Sequence, residues 1–243
     1  MERRKFIKSA LITPALISSI SNATLTGQII NEEDRFVINA GVGGNNTNDL
    51  LARIDNDCLR HLPEITILTI GTNDMNSRKF IPLDVFQKNM NNVIQQISGI
   101  GSQVILTTLM PAYQPYLMTR HAATFYEPEG YQGRLKQINN LLRTIAIDND
   151  VPLLDLHHIF NSVGNIGESA DSLMKNEANS GVKDGLHPTP EGYRLMAVAV
   201  YEFMLQNGFP RNRVVCFGDS ITAGDGGVEG KSYPAYLKSL LKI

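Results

Sequence analysis

A serine, a histidine and an aspartate that could together carry out acyl transfer lie in two short motifs of the chain. Ser220 follows a glycine and an aspartate, and Asp184 precedes His187 by three residues in the sequence Asp-Gly-Leu-His. A serine hydroxyl becomes nucleophilic when a histidine takes its proton and a carboxylate orients that histidine. Because a tight turn lets a carboxylate reach an imidazole a few residues further on, we expect Asp184 to orient His187, and His187 to activate Ser220.

Acyl transfer by a serine also needs hydrogen-bond donors that stabilise the oxyanion of the tetrahedral intermediate. The candidate donors are the main-chain N–H of Ser220, the main-chain N–H of Gly44 in a glycine-rich turn, and the side-chain amide of Asn73. Position 44 allows close approach because glycine has no Cβ. These three groups are the predicted oxyanion hole.

The elements around Ser220 are those expected for a nucleophile at the end of a buried strand. Residues 214–217 are consecutive apolar residues, which is typical of a strand buried on both faces, and residues 232–241 have apolar residues at helical spacing. The Gly-x-Ser-x-Gly pentapeptide of the usual nucleophile elbow is absent from this segment. An ordinary Gly-Asp-Ser turn is the alternative interpretation of this motif taken alone.

Strands and helices alternate along the rest of the chain. Strands are predicted at residues 34–39, 65–70, 104–109, 152–156 and 214–217, with helices between them. This alternation predicts a three-layer α/β/α sandwich with a central parallel sheet, whose site lies at the carboxyl ends of the strands. A chain of 243 residues, 42% of them hydrophobic, is long enough for one such domain, which we assign to residues 24–243.

Residues 110–133 interrupt this alternation with an aromatic-rich segment that lacks a clear period. A loop of this length is usually functional, so we expect it to form a wall of the site. The predicted substrate contacts are Tyr113, Tyr116 and Tyr126 from this segment, and Asn45 and Asn46 from the glycine-rich turn.

Four short motifs together resemble the SGNH (GDSL-like) hydrolases. They are Gly-Asp-Ser at 218–220, the Asn-x-Gly-x-Gly-Gly turn at 39–44, Gly-x-Asn-Asp at 71–74 and Asp-x-x-His-Pro at 184–188. The resemblance implies a flavodoxin-like fold, a triad of Ser220, His187 and Asp184, and an oxyanion hole that includes Gly44 and Asn73. It also implies esterase, lipase, carbohydrate acetylesterase or lysophospholipase activity.

The order of these motifs differs from that of the family. The serine motif comes first in the family, whereas here it follows the other three. The chain therefore resembles a circular permutant in which the nucleophile strand and its helix lie near the C-terminus, joined to the rest through residues 205–212. Such a rearrangement is feasible because the termini of a domain often lie close together at its surface.

The first 23 residues have the order of an export signal. Residues 1–8 are cationic, residues 9–20 are moderately apolar but too few to span a bilayer, and residues 21–23 form a small-residue cleavage site. Arg3-Arg4 and the residues after them resemble a twin-arginine signal. We expect a bacterial periplasmic or secreted protein with no stable membrane insertion after signal removal; a helix belonging to the fold is the alternative.

Charge and composition disfavour several other functions. The formal net charge is -2 and no basic run follows residue 8, which argues against a nucleic-acid partner. The pair His157-His158 has no cysteine or suitably spaced carboxylate beside it, so we predict neither a metal site nor a cofactor. Cys58 and Cys216 are predicted to be packed thiols.

These observations predict a serine esterase that hydrolyses short acyl esters, in particular acetyl groups, of a small molecule or a glycan. Two alternatives stay open. One is a non-catalytic carbohydrate-binding protein on the same fold, with residues 110–133 as an aromatic binding face. The other is an O-acyltransferase that passes the acyl group to a sugar instead of water.

Overall fold

A five-stranded parallel sheet forms the centre of the protein. The computed structural model describes residues 34–226 and 230–243, so the predicted signal at residues 1–23 lies outside the described residues. The strands are β1 (Phe36–Gly41), β2 (Ile65–Thr69), β3 (Gln103–Thr107), β4 (Leu153–Leu154) and β5 (Arg213–Gly218). Their order is β1-β5-β2-β3-β4 and all neighbours are parallel. The predicted α/β fold with a central parallel sheet is confirmed.

The three strands that precede the predicted site residues end at the same level. Gly218, the last residue of β5, pairs with Gly41 of β1 on one side and with Thr69 of β2 on the other. The chain segments that follow these strands therefore leave the sheet at one edge. This register brings together residues that are far apart in sequence.

Helices cover both faces of the sheet. They are α1 (Thr47–Asp57), α2 (Leu83–Gly99), α3 (Gln114–Leu117), α4 (Gly130–Asp148), α5 (Leu156–Val163), α6 (Glu177–Ser180), α7 (Pro190–Gln206), α8 (Ser220–Ala223) and α9 (Tyr233–Leu241). Helices α1, α2 and α4 pack on one face, and α5, α7 and α9 pack on the other. Within the described ranges, none of the helices has both the length and the apolar character needed to cross a bilayer.

β5 contributes to the hydrophobic cores on both faces. Val215 and Phe217 lie in the core under α1, α2 and α4, whereas Val214 and Cys216 lie in the core under α5, α7 and α9. This division follows from the alternation of side chains along a strand. Cys216, like Cys58, is buried as a free thiol, which confirms the prediction for both cysteines.

The structure corrects the predicted elements in two places. The predicted strand at 152–156 has only two residues, because the side chain of Asp155 accepts a hydrogen bond from His158 N and starts α5, a helix missing from the prediction. Residues 110–133 do not form one irregular loop: they contain α3, a 3-10 helix at Ala123–Tyr126 and the start of α4.

The end of α9 lies beside the start of β1. The guanidinium Nη2 of Arg35 donates a hydrogen bond to the carbonyl of Leu241, over a distance of 3.2 Å. At the other end of this C-terminal unit, the main-chain N–H of Phe36 donates to the carbonyl of Asn212, which precedes β5. Both ends of the unit formed by β5, α8 and α9 are therefore close to residues 35–36.

Candidate active site

Ser220 is the first residue of the short helix α8, directly after the end of β5. Asp219 caps this helix, with its side-chain Oδ1 accepting a hydrogen bond of 2.9 Å from Ile221 N. Two glycines let α8 lie against the strand ends: a Cβ at Gly41 would come within 2.1 Å of Ala223 N, and one at Gly218 within 2.4 Å of Thr222 Oγ1. The position of Ser220 therefore requires residues without a side chain at both of these glycine positions.

His187 and Asp184 lie in a tight turn before α7, and this turn faces Ser220. One oxygen of Asp184, Oδ1, accepts hydrogen bonds from the main-chain N–H groups of Leu186 (2.8 Å) and His187 (2.7 Å). The other, Oδ2, accepts from His187 Nδ1 at 2.8 Å. His187 Nε2 is 3.0 Å from Ser220 Oγ.

This array has the electrostatics that a general base requires. Burial alone would raise the pKa of Asp184, but the hydrogen bond and charge of His187, with the two main-chain donors, hold that pKa well below its usual range. Asp184 therefore stays a carboxylate and binds the proton on His187 Nδ1. Nε2 then has a free lone pair that can accept the proton of the Ser220 hydroxyl.

The predicted oxyanion donors come from two turns that border Ser220. Gly44 has a left-handed backbone (φ +78°), and a Cβ on its neighbour Gly43 would lie 3.9 Å from Ser220 Cβ. Asn73 Nδ2 donates to the carbonyl of Asn45 at 2.9 Å and is 3.5 Å from Asp219 Oδ2. The structure thus gathers Ser220, the Gly43-Gly44 turn and the Asn73 amide at one edge of the sheet.

Two buried carboxyl groups hold these turns together. Asp74 Oδ1 accepts hydrogen bonds from the N–H (2.9 Å) and the hydroxyl (2.6 Å) of Thr47, which joins the turn after β2 to the start of α1. Burial raises the pKa of Asp74 to about 6 and that of Asp219 to about 7. Both groups stabilise the loops that border Ser220.

Arg53 is a positioning residue that the sequence analysis missed. Its Nε donates to Asn45 Oδ1 at 2.6 Å and its Nη2 donates to the Gly218 carbonyl at 2.7 Å, while the guanidinium lies 4.6 Å from the centre of the Phe217 ring. It links the glycine-rich turn to the end of β5. No local signal marks it, because an arginine on an amphipathic helix ordinarily faces solvent.

The predicted substrate contacts divide into exposed and buried side chains. Asn46 is 6% exposed and is the cap of α1, where its side chain accepts from Asp49 N. Tyr126 is 1% exposed and packs against Tyr131 in the core. The fold encloses both side chains, which leaves little surface on either one for a substrate.

The other predicted contacts are Tyr113, Tyr116 and Asn45, of which the two tyrosines lie against the turn that bears His187. Tyr113 is partly exposed and its main-chain N–H donates to the Gly185 carbonyl at 2.7 Å. Tyr116 is mostly buried and packs edge-on against Tyr113, with ring centres 5.0 Å apart. Asn45 is partly exposed, and its side chain is held by Arg53. Tyr113 and Asn45 are thus the predicted contacts that remain accessible.

Among the described residues, no group of three or more histidine, cysteine, aspartate or glutamate side chains is arranged to hold a metal ion. The pair His157-His158 lies on α5, where the main-chain N–H of His157 donates a hydrogen bond to Thr108 Oγ1.

The chain matches one protein-family model and has similar sequences among known proteins. Residues 20–195 match the model of the GDSL-like lipase/acylhydrolase family. The chain is 28% identical over 174 residues to the uncharacterized lipoprotein YqeF of Bacillus subtilis, covering 66% of this chain and 70% of that protein. It is 24% identical over 173 residues to an acetylxylan esterase of Geobacillus stearothermophilus, covering 71% and 72%.

Solved structures show the same fold. The acetyl xylan esterase AlAXEase superposes with a TM-score of 0.53 at 25% identity, covering 68% of this chain and 78% of that one. A lipase/acylhydrolase from Enterococcus faecalis superposes with a TM-score of 0.53 at 20% identity, covering 70% and 75%. The fold and these relatives define a carboxylic ester hydrolase. The chain belongs to the GDSL-like lipase/acylhydrolase family.

Proposed function

We propose that the protein is a serine esterase that removes short acyl groups, in particular acetyl groups, through an acyl-enzyme on Ser220. The observation that carries this proposal is the 3.0 Å approach of His187 Nε2 to Ser220 Oγ, with Asp184 bonded to the other nitrogen of the same imidazole. This arrangement supplies a nucleophile, a base and a group that orients the base.

The proposed reaction has two acyl transfers. In the first, Ser220 Oγ attacks the ester carbonyl while its proton passes to His187 Nε2, and the imidazolium then gives that proton to the departing alcohol oxygen. In the second, water attacks the acyl-enzyme, a water proton passes to His187 Nε2, and the same proton returns to Ser220 Oγ as the carboxylic acid leaves. Asp184 stabilises the imidazolium in both steps without taking its proton.

The oxyanion formed in each step would be bound by the N–H groups of Ser220 and Gly44 and by the Asn73 amide. The 3.5 Å contact between Asn73 Nδ2 and Asp219 Oδ2 supports this role, because a weak hydrogen bond can be exchanged for a stronger one to an oxyanion. The loss of one donor is expected to slow turnover by about 100-fold to 1,000-fold.

The proposed substrate is an acetylated glycan or a similarly small acetyl ester. Two similar proteins are named as acetylxylan esterases, one at 24% sequence identity and one solved structure at 25%. Tyr113 and Asn45 would contact the sugar, since both are partly exposed, Tyr113 beside the turn that bears His187 and Asn45 beside Asn73. One relative is named as a lipoprotein, which supports export of this chain as well, with residues 1–23 as the proposed signal and residues 24–243 as one domain.

Active-site labelling tests the proposal directly. A fluorophosphonate probe should label the wild type and fail to label Ser220→Ala, whereas Ser239→Ala, which changes an exposed serine of α9, should be labelled normally. An unlabelled wild type would contradict the proposal and favour the carbohydrate-binding alternative.

A panel of p-nitrophenyl esters from acetate to octanoate, beside acetylated xylan fragments, tests the acyl preference. We expect the highest kcat/KM with acetate. An added acceptor alcohol that captures most of the acetyl group would instead favour the acyltransferase alternative.

A further inference from the structure

Arg120, which lies just after α3, contacts the same aspartate that binds His187. Its Nη2 donates to the main-chain carbonyl of Asp184 at 2.6 Å, and its Nη1 lies 3.5 Å from Asp184 Oδ2. Oδ2 is also the oxygen that accepts the hydrogen bond from His187 Nδ1. A single guanidinium therefore contacts both the main chain and the carboxylate of this residue.

The guanidinium shares one oxygen of the Asp184 carboxylate with the imidazole of His187. The main-chain N–H groups of Leu186 and His187 donate to the other oxygen, Oδ1. A planar guanidinium can bind two acceptors at a fixed angle, which an ammonium cannot do. The Asp184 side chain is 16% exposed, so this contact is only partly screened by water.

The residue after Arg120, His121, contacts a second turn of the site. His121 is 9% exposed, and its Nδ1 is 2.9 Å from Ser77 Oγ, in the turn that also carries Asn73. Burial lowers the pKa of His121, and the charges of Arg78 and Arg120 lower it further, so the His121–Ser77 bond is made by a neutral imidazole. The dipeptide thus ties the Asn73 turn to the Asp184 turn.

We propose that Arg120 is a positioning residue of the active site, which holds the Asp184 carboxylate in line with His187 and places a fixed positive charge beside that pair. The inference rests on the proposed function, because it assigns Arg120 an effect on the base of that reaction. Two separate effects are expected. The paired contacts of the guanidinium with the Asp184 carbonyl and carboxylate should affect kcat, and its positive charge should affect the pH dependence of kcat/KM.

Among the described residues, the other ionisable groups near the Asp184–His187 pair are paired or buried, and buried Tyr193 interacts electrostatically with Asp184. Asp219, on the turn before α8, interacts electrostatically with His187. Lys175, whose main-chain N–H donates to the His187 carbonyl, is paired with Asp225. The positive charge of Arg120 repels the imidazolium form of His187, so its removal should favour binding of a proton to the imidazole. The acid limb of the pH profile, which is the pH range in which kcat/KM falls as pH falls, should therefore move to higher pH.

The test compares Arg120→Met, Arg120→Lys and the matched control Arg78→Met, a nearby exposed arginine with no ion pair to another described residue. For Arg120→Met we expect kcat to fall by about 10- to 100-fold and the acid limb to rise by roughly 0.5–1 pH unit. Arg120→Lys should keep the acid limb of the wild type, because the positive charge is retained. Its kcat should fall about tenfold, because an ammonium cannot make the paired contacts of the guanidinium.

The outcomes separate this inference from the proposed function. A wild type that neither hydrolyses esters nor labels at Ser220 would overturn the proposed function. An active, Ser220-dependent wild type whose Arg120→Met variant has the kcat and acid limb of Arg78→Met would overturn the inference alone. If circular dichroism shows that Arg120→Met does not fold, Arg120→Lys decides: wild-type kcat in that variant overturns the inference.

Discussion

Asp219 is a buried carboxyl group with a raised pKa, directly before Ser220. It is fully buried next to Ser220, with one oxygen bonded to Ile221 N and the other 3.5 Å from Asn73 Nδ2. Burial raises its pKa from 3.8 to about 7. The fold therefore encloses a carboxyl group that holds its proton much more tightly than the unfolded chain does.

This pKa has a definite consequence for stability. Between about pH 4 and pH 7 the folded protein keeps a proton on Asp219 that the unfolded chain has released, so the free energy of unfolding should fall as pH rises through this window. Asp219→Asn removes this contribution and should flatten the dependence by up to about 1.4 kcal/mol per pH unit. Urea denaturation at a series of pH values measures it. Asp74, whose pKa is also raised by burial, should lower the free energy of unfolding in the same way up to about pH 6, in both the wild type and Asp219→Asn.

The matched control is Asp55→Asn, which changes an exposed aspartate of α1 and should leave the slope as it is in the wild type. Asp219→Asn should also lose about tenfold in kcat, since its amide cannot accept from both Ile221 N and Asn73 Nδ2. Equal slopes in the wild type and Asp219→Asn would contradict the raised pKa.

The sequence predicts some residues of the site and misses others for a physical reason. Asp184 and His187 are three residues apart, and Ser220 directly follows its helix cap, so short motifs reveal them. Arg53 reaches Gly218 across 165 positions and Arg120 reaches Asp184 across 64. Such contacts exist only after the fold has formed, and no local pattern encodes them.

At the scale of elements, the site depends on how closely α8 approaches the strand ends. Gly41→Ala would place a Cβ within 2.1 Å of Ala223 N and 2.6 Å of the Thr222 carbonyl carbon, both main-chain atoms. The helix must move to relieve this overlap, and Ser220 must move with it. We expect a loss of about 1–3 kcal/mol in stability together with a large loss of kcat.

Thermal denaturation and turnover of Gly41→Ala test this expectation. Gly99→Ala, at the end of α2, is the matched control, because a Cβ there meets nothing within 4 Å. It should be neutral or slightly stabilising. A Gly41→Ala protein with wild-type melting temperature and kcat would show that α8 tolerates displacement.

Elements with a strong period were predictable, and short ones were not. The apolar run at 214–217 gave the position of β5 to within one residue at each end. α5 was missed because its eight residues follow only a two-residue strand, and its start depends on the Asp155 cap. The aromatic segment was misread since three of its tyrosines, Tyr116, Tyr126 and Tyr131, point into the core.

At the scale of the whole molecule, the position of α9 supports the proposed permutation. The carbonyl of Leu241 accepts a hydrogen bond from Arg35, at the start of β1, so a short link could join α9 to β1. That link would restore the order in which the serine motif comes first. The range that matches the family model ends at residue 195, before β5 and Ser220.

A rearranged chain tests this arrangement. Moving residues 209–243 ahead of residue 34, with a short glycine-serine linker after Ile243, should preserve the fold because every contact of the sheet can form as before. Melting temperature, fluorophosphonate labelling and ester hydrolysis should all resemble those of the original order. Deletion of residues 209–243 is the control and should give no folded protein, and an insoluble rearranged chain would contradict the permutation.

The central place of β5 has a consequence for biosynthesis. β5 separates β1 from β2 in the sheet, yet the ribosome makes it after all the other strands. Until it emerges, β1 and β2 have no partner between them and their facing edges carry unpaired N–H and C=O groups. Since the proposed nucleophile, Ser220, directly follows β5 on the same late segment, we expect the nascent polypeptide to have no esterase activity until translation has passed its last strand.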